Sequence, residues 1–385
     1  MHQPITVTTS EPAVAQPAPV RRLLSLDTLR GFDMFWIIGG DNIFHALAKT
    51  TGWAWAIFMA EQFEHPAWNG FSPYDLIFPL FLFMAGVSTP FSIGSRLEKG
   101  APKAELARKI ITRGLILVLL GIIYNNGLFT TPLAEMRFPS VLGRIGLAGM
   151  CAQLIYVYAG RRAQYSWFAG LLLGYWAMLM LIPVPGCGAG VLTMECSLAG
   201  YVDRLLVPGH LYKTVHDPEG LLSTLPAIGN ALLGIFAGTL LRTDGRTVGQ
   251  ARKTILLVLA GVACLLVGWA WSFVFPLNKN LWTSSFVLVT GGLSLLLLAL
   301  FYWVIDVKNI KHWTLFFTVI GMNSILIYMA GSLIDFEHTA HYLFDGLIGF
   351  LSSEPAKAVA GVLAFLGVKW AFLYFLYRKK VFLRV

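Results

Sequence analysis

Residues 72–95 read Ser-Pro-Tyr-Asp-Leu-Ile-Phe-Pro-Leu-Phe-Leu-Phe-Met-Ala-Gly-Val-Ser-Thr-Pro-Phe-Ser-Ile-Gly-Ser, and no charge follows Asp75 until Arg96. A run of about 20 apolar residues is long enough to cross the hydrocarbon core of a bilayer. The stretch therefore predicts a transmembrane helix entered through a polar corner, Ser72 to Asp75. Comparable runs recur at about 26–47, 73–95, 111–129, 139–160, 166–185, 222–242, 254–275, 283–305, 313–334 and 356–378. The chain is 56% hydrophobic and 13% charged, against about 25% charged in a soluble domain. Its mean hydropathy is +0.67. The reading is an all-α polytopic membrane protein, a bundle of about 10 (10–11) transmembrane helices. A β-barrel is excluded, because its strands would be short and would alternate in polarity.

The net charge of +9 is a matter of topology. Of the 29 basic residues, 21 fall in one alternate set of loops. They include Arg21, Arg22 and Arg30, the cluster from Arg96 to Arg113, and Arg378 to Arg384. The other set holds Lys49, Arg137, Arg204, Lys213, Lys279 and Lys357. This bias predicts both termini in the cytoplasm and no nucleic-acid partner. Residues 1–22 have no basic region ahead of an apolar core and read as a disordered cytoplasmic tail, not a signal peptide. Residues 23–385 read as one transmembrane domain, with its main extracytoplasmic loops at about 48–72 and 186–221. The apolar segment 48–62 is too short to span and is expected to lie in the outer interface, anchored by Trp53 and Trp55. Cys187 and Cys196, with eight residues between them, can bridge in an oxidising compartment; spacing alone leaves the pairing open. No nucleotide-binding glycine motif, no metal-spaced Cys/His cluster, no inverted repeat and no paired broken helices are visible.

Ionisable groups inside a membrane are costly and mark candidate sites. The first span carries Asp27, Arg30, Asp33, Asp41 and His45. Asp27 and Arg30 can form an end-of-helix salt bridge or an anion site. Asp41 lies about 22 Å of helix rise beyond Leu26, in the outer half of the bilayer. It follows Gly39-Gly40 and shares a face with His45. Arg144, two turns into the fourth span, needs an acid or an anionic ligand. Asn230 and Asn323-Ser324 serve either as inter-helical glue or as ligand donors.

The loop before the second span reads His65-Pro66-Ala67-Trp68-Asn69-Gly70. Pro66 biases His65 to an extended conformation and keeps it out of a helix. Histidine suits proton transfer or acyl capture near neutral pH. With Trp68, Asn69 and Asp75 beside it, His65 reads as a site at the outer mouth of the bundle. Asn278-Lys279-Asn280-Leu281-Trp282 gathers donors and an aromatic face, a composition that suits a sugar or an interfacial belt.

These strings together resemble the heparan-α-glucosaminide N-acetyltransferase family of transmembrane acyltransferases, over nearly the whole chain from about Ser25. The residues that carry the resemblance are Ser25 to Gly31, His65 to Gly70, Asp75 to Pro79 and Phe138 to Arg144. Pro185 to Cys187, Gly200 to Leu206, His210 to Tyr212, Asp217 to Leu221, Asn278 to Trp282 and Gly321 to Leu326 continue it. The resemblance implies acetyl transfer from cytosolic acetyl-CoA, as co-substrate, to the amine of a terminal glucosamine across the membrane. It implies His65 as the active-site histidine. A polar residue of the family, commonly asparagine, falls at Asp41, a departure that gives this chain a carboxylate there.

The expected assignments follow. His65 and Asp41 are catalytic. Trp68, Asn69, Asp75, Asn280, Trp282 and Asn323 contact the acceptor, an amino sugar. Arg30, Arg113, Arg144 and Asn230 hold the donor, with Arg108 and Lys109 behind them, and no metal is required. His65 either attacks the thioester or serves as general base on the amine. The partners implied are the lipid bilayer, a small amino sugar and a second copy of the chain as a homodimer. The location implied is a bacterial inner membrane, with the site facing the periplasm. The rival readings are a transporter of amino sugars, a polysaccharide O-acetyltransferase, and a scaffold without chemistry.

Overall fold

Apolar side chains on every face, with polar groups gathered at a few depths, leave helix as the only regular structure that satisfies its own backbone in lipid. A computed structural model describes residues 23–127, 131–245 and 247–383, and all regular elements among them are helical. The expected tail, residues 1–22, lies outside the described residues. In chain order the helices are α1 (Leu24–Phe35), α2 (Asn42–Thr51), α3 (Ala54–Gln62), α4 (Ile77–Thr89) and α5 (Ser95–Glu98). Next come α6 (Lys103–Asn126), α7 (Val141–Tyr158), α8 (Arg161–Leu181), α9 (Leu198–Leu206), α10 (Thr224–Arg242) and α11 (Gln250–Ser272). The remainder are α12 (Ser284–Phe301), α13 (Thr314–Met322), α14 (Ser324–Ala330), α15 (Phe336–Ile348) and α16 (Glu354–Arg378).

Six continuous helices among the described residues are long and apolar enough to cross a membrane: Pro73–Glu98, Val141–Tyr158, Thr224–Arg242, Gln250–Ser272, Ser284–Val307 and Glu354–Arg378. The other expected spans differ for physical reasons. α6 and α8 are long, but α6 carries Lys103, Glu105, Arg108, Lys109 and Arg113 in its first half, and α8 opens on Arg161-Arg162. The first and ninth spans are not continuous. A wide turn at Trp36–Gly40 separates α1 from α2, with Gly39 at φ +120°. Asn323 separates α13 from α14. Two of the expected spans, the first and the ninth, are thus broken, which the sequence did not show. Residues 335–355, expected as a loop, contain α15.

Glycines set the closest helix contacts. A Cβ on Gly86 of α4 would stand 2.1 Å from the Ala231 carbonyl of α10, and one on Gly234 would stand 2.0 Å from the Phe83 carbonyl. Small residues let backbones meet where lipid supplies no hydrophobic drive between helices. α1 and α13 meet the same way, Gly31 against the Phe317 carbonyl and Gly321 against that of Asp27. Around these contacts lies one large core, with Leu29, Leu82, Phe83, Met84, Leu232 and Phe286 fully buried. α11 and α16 turn Leu259, Leu266, Trp269, Leu363 and Phe375 outward.

Gly234→Val is expected to destabilise the bundle by about 1–3 kcal/mol, the usual range for overpacking a tight core. Gly361→Val, with nothing within 4 Å of its Cβ position, is the matched control. Thermal unfolding in detergent reads the difference, and equal midpoints for the two variants would refute the close contact.

Candidate active site

The loop after α3 holds His65 beside a turn, Pro73–Leu76, that leads into α4. Asp75 sits in that turn with its side chain fully buried. Its Oδ2 accepts the Ser72 N–H at 3.0 Å. Its Oδ1 lies 2.7 Å from His65 Nδ1. A carboxylate is acceptor-only, so Nδ1 is assigned the proton and Nε2 keeps its lone pair. Lys279 Nζ stands 2.7 Å from Nε2, 3.2 Å from Nδ1 and 3.7 Å from Asp75 Oδ1, so the ammonium lies against both ring nitrogens and beside the carboxylate. The His65 side chain is 45% exposed, so a ligand can reach it. Burial holds the Lys279 amine below the ordinary lysine range, against the opposing pull of Asp75 and Glu219.

Two strings distant in sequence are stitched together here. The Gly70 N–H donates to the Leu277 carbonyl at 2.9 Å, and Asn278 Nδ2 donates to Asn69 Oδ1 at 3.0 Å. Trp68 Nε1 donates to the Leu192 carbonyl at 2.7 Å, and its ring meets His216 edge-on at 5.3 Å. Cys187 and Cys196 are bonded, their Cα atoms 5.6 Å apart. Tyr74 lays its ring 5.0 Å from the His65 imidazole, and its hydroxyl and the Asp41 carboxyl act on one another electrostatically. Asp41 therefore reaches His65 through Tyr74.

Behind this cluster lies an ionic network. Arg137 grips Asp217 through Nε at 2.8 Å and Nη2 at 2.7 Å, and also bonds Glu219. Burial pushes the Asp217 carboxyl up, but Arg137 outweighs it and holds the group low. Burial raises Glu219. Arg144, fully buried, donates to the Gly220 carbonyl at 3.2 Å and to Ser223, and lies 4.8 Å from the Trp282 ring. Trp282 is itself buried at φ +52° and donates to Asn230 Oδ1 at 2.9 Å.

The expected residues divide into groups. His65, Asp75, Asn69 and Trp68 share one mouth of the bundle. Asn280 meets His216 through its main-chain carbonyl, 3.1 Å from Nε2. Trp282, Arg144 and Asn230 form the buried floor of the ionic network, apart from Arg30 and Arg113. Asn323 is not beside His65. Its side chain bonds the Val381 carbonyl and the Leu383 N–H. Arg30 and Arg113 line a cavity of about 440 Å³ with Asp27, Ser88, Ser92 and Gln153. Arg30 pairs with Asp27 at 3.5 Å and donates to Ser88 at 3.0 Å. From Asp75 to Ser88 is about 20 Å of helix rise, so this cavity opens at the other end of the bundle. Phe81, Ile145 and Ile325 also wall a small apolar void of about 40 Å³ that reaches Tyr328. Sequence reasoning missed Lys279, Tyr74, Arg137 and Glu219 as site groups. Lys279 lay within a quoted string, but its partner His65 is 214 residues away.

A family model described as heparan-alpha-glucosaminide N-acetyltransferase, catalytic, matches residues 22–269. The human heparan-alpha-glucosaminide N-acetyltransferase is 31% identical over 422 aligned positions, covering 94% of this chain and 60% of its own length. The mouse protein of the same name is 30% identical over the same extent. The chain thus spans about 60% of the length of these curated relatives.

Burial depresses His216 to about 4 from its usual value of 6.5. The unfolded chain then binds more protons between those values, so stability is full above about 6.5 and falls as the pH drops toward 4. The effect is on the order of 3 kcal/mol at about 1.4 kcal/mol per pKa unit. Asp203, which burial raises to about 6, works in the opposite sense. The contrast between wild type and His216→Gln isolates the histidine. Unfolding midpoints from pH 4 to 7 should show a shallower acid loss in the variant, and identical slopes would refute the assignment.

Proposed function

Since the chain belongs to the heparan-alpha-glucosaminide N-acetyltransferase family, we propose that it carries acetyl from cytoplasmic acetyl-CoA to the amine of an extracytoplasmic glucosamine-type sugar. The observation that carries the reading is the Asp75–His65–Lys279 cluster, in which the carboxylate at Nδ1 fixes the tautomer and leaves Nε2 basic. Orientation of a basic imidazole nitrogen by a buried carboxylate is the arrangement nucleophile and base chemistry requires.

The donor is charged at its nucleotide end and slender at its thioester end. Arg30 and Arg113, across a cavity at the far end, suit phosphates. The apolar void between Phe81 and Tyr328 suits the uncharged arm. At the outer mouth, Nε2 serves either of two routes. As nucleophile it bonds the thioester carbonyl carbon as the C–S bond breaks, and the Lys279 ammonium protonates the departing thiolate. The sugar amine then bonds the acetyl carbon, the bond to Nε2 breaks, and Lys279 takes up the proton the amine loses. As base Nε2 accepts the proton of the sugar amine while that amine bonds the carbonyl carbon and the C–S bond breaks, and the imidazolium gives that proton to the departing thiolate. In both, Lys279 first moves away from Nε2.

The same proposal places ten crossings in the membrane, both termini in the cytoplasm, one transmembrane domain over residues 23–385 and the site on the periplasmic side of a bacterial inner membrane. The outward apolar faces of α11 and α16 are assigned to lipid or to a second copy of the chain. One observation favours a second reading. The breaks at Gly39 and Asn323 are features that transporters place at their binding sites.

Purified protein in nanodiscs with labelled acetyl-CoA and glucosamine tests both. Wild type is expected to form N-acetylglucosamine, and His65→Ala to fall to background. Asp75→Asn should lose at least roughly a hundredfold in kcat through the wrong tautomer. Full turnover in His65→Ala would sink the site. Labelled sugar crossing sealed vesicles with no acetyl product would favour transport.

A further inference from the structure

The break in the first span is closed from a distance. Lys369 of α16 is 8% exposed, and its ammonium donates to the Ile38 carbonyl at 2.8 Å. Ile38 lies within the wide turn Trp36–Gly40, where the regular helix pattern is interrupted. The same ammonium stands 3.8 Å from the centre of the Phe365 ring and 5.8 Å from that of Phe336. Phe365 packs on the break itself, its Cε1 2.9 Å from where a Cβ on Gly39 would stand. Lys369 and Phe365 are four apart, so a single turn of α16 grips both the carbonyl and the glycine. The charges acting on the ammonium are Glu337 of α15 and Asp41, just past the break.

A buried ammonium is a costly way to fill space, and an apolar side chain of equal length would pack there without desolvation. What methionine cannot do is donate to Ile38. From that carbonyl a short line of contacts runs to the outer mouth. Asp41 follows the break, its carboxyl and the Tyr74 hydroxyl act on one another electrostatically, and the Tyr74 ring lies 5.0 Å from His65 at 30°.

We propose that Lys369 is a positioning residue for His65: by holding the Ile38 carbonyl it fixes Asp41, and through Asp41 and Tyr74 it fixes the face of the imidazole. The inference rests on the reading of His65 as the reacting group. It concerns a side chain that touches no substrate and comes from the other end of the sequence.

The test compares wild type, Lys369→Met and Lys369→Arg in nanodiscs. Lys369→Met is expected to lower kcat at least tenfold, the scale of a misplacement below 1 Å, with both KM values within twofold. Lys369→Arg keeps a donor and a cation over the ring, and is expected to recover kcat to within threefold of wild type. An unchanged kcat in Lys369→Met overturns the proposal, as does a loss that Lys369→Arg fails to recover. If Lys369→Met does not fold, Lys369→Gln, which keeps an N–H donor, is judged against wild type by the recovery criterion set for Lys369→Arg. A second readout needs no turnover. The rate at which diethyl pyrocarbonate modifies His65, followed on its peptide by mass spectrometry, should change at least threefold in Lys369→Met and return in Lys369→Arg. An unchanged rate overturns the link. If wild type transfers no acetyl, the function fails and this arm alone judges Lys369.

Discussion

Backbone polar groups in hydrocarbon must find partners inside the protein, and at the breaks in the first and ninth spans a side chain supplies one. The first span opens at Trp36–Gly40, and Lys369 supplies the donor for Ile38. The ninth opens at Asn323, whose side chain bonds Val381 and Leu383. Both partners lie on α16 or immediately after it. The last helix therefore joins the two broken elements, which already touch through Gly31 and Gly321. Breaks of this kind leave polar backbone at depths where a continuous helix would offer only side chains.

The same accounting explains the outer mouth. Four charged groups, Arg137 before α7, Arg144 on α7, and Asp217 and Glu219 from one loop before α10, meet in low dielectric and offset one another's charge. Above them the His65 loop is held at two points by residues 277–278. The result is a histidine fixed by its neighbours while its ring stays open to solvent. Pre-organisation of this sort is what lets a loop residue perform chemistry with the precision of a helix residue.

Much of this was legible in the sequence, for identifiable reasons. The run after Asp75 reads as a helix because length and apolarity suffice. His65 and Asp75 read as one site because they stand close in sequence, with Trp68 and Asn69 between them and Pro66 keeping His65 out of a helix. Lys279 did not, because its pairing with His65 is a long-range contact that no local pattern encodes. The breaks were hidden for a different reason: Gly39-Gly40 permits a break without requiring one, and Asn323 is also ordinary inter-helical glue. Arg144 and Asn230 were grouped with Arg30 and Arg113 because depth within a span says little about which neighbours complete a site. Trp282, at a positive φ that few side chains adopt, decides their place by packing between them.

The disulfide has a temporal meaning as well. The Leu192 carbonyl that anchors Trp68 lies inside the small ring closed by Cys187 and Cys196. A thiol pair stays open in a reducing compartment and closes in an oxidising one. On the orientation proposed above, insertion of the helices and closure of this ring would be separate events, the second waiting on the chemistry of the far compartment. A newly inserted chain would have every residue of the cluster, while the tether that steadies Trp68 beside the histidine loop would acquire its covalent frame only after export.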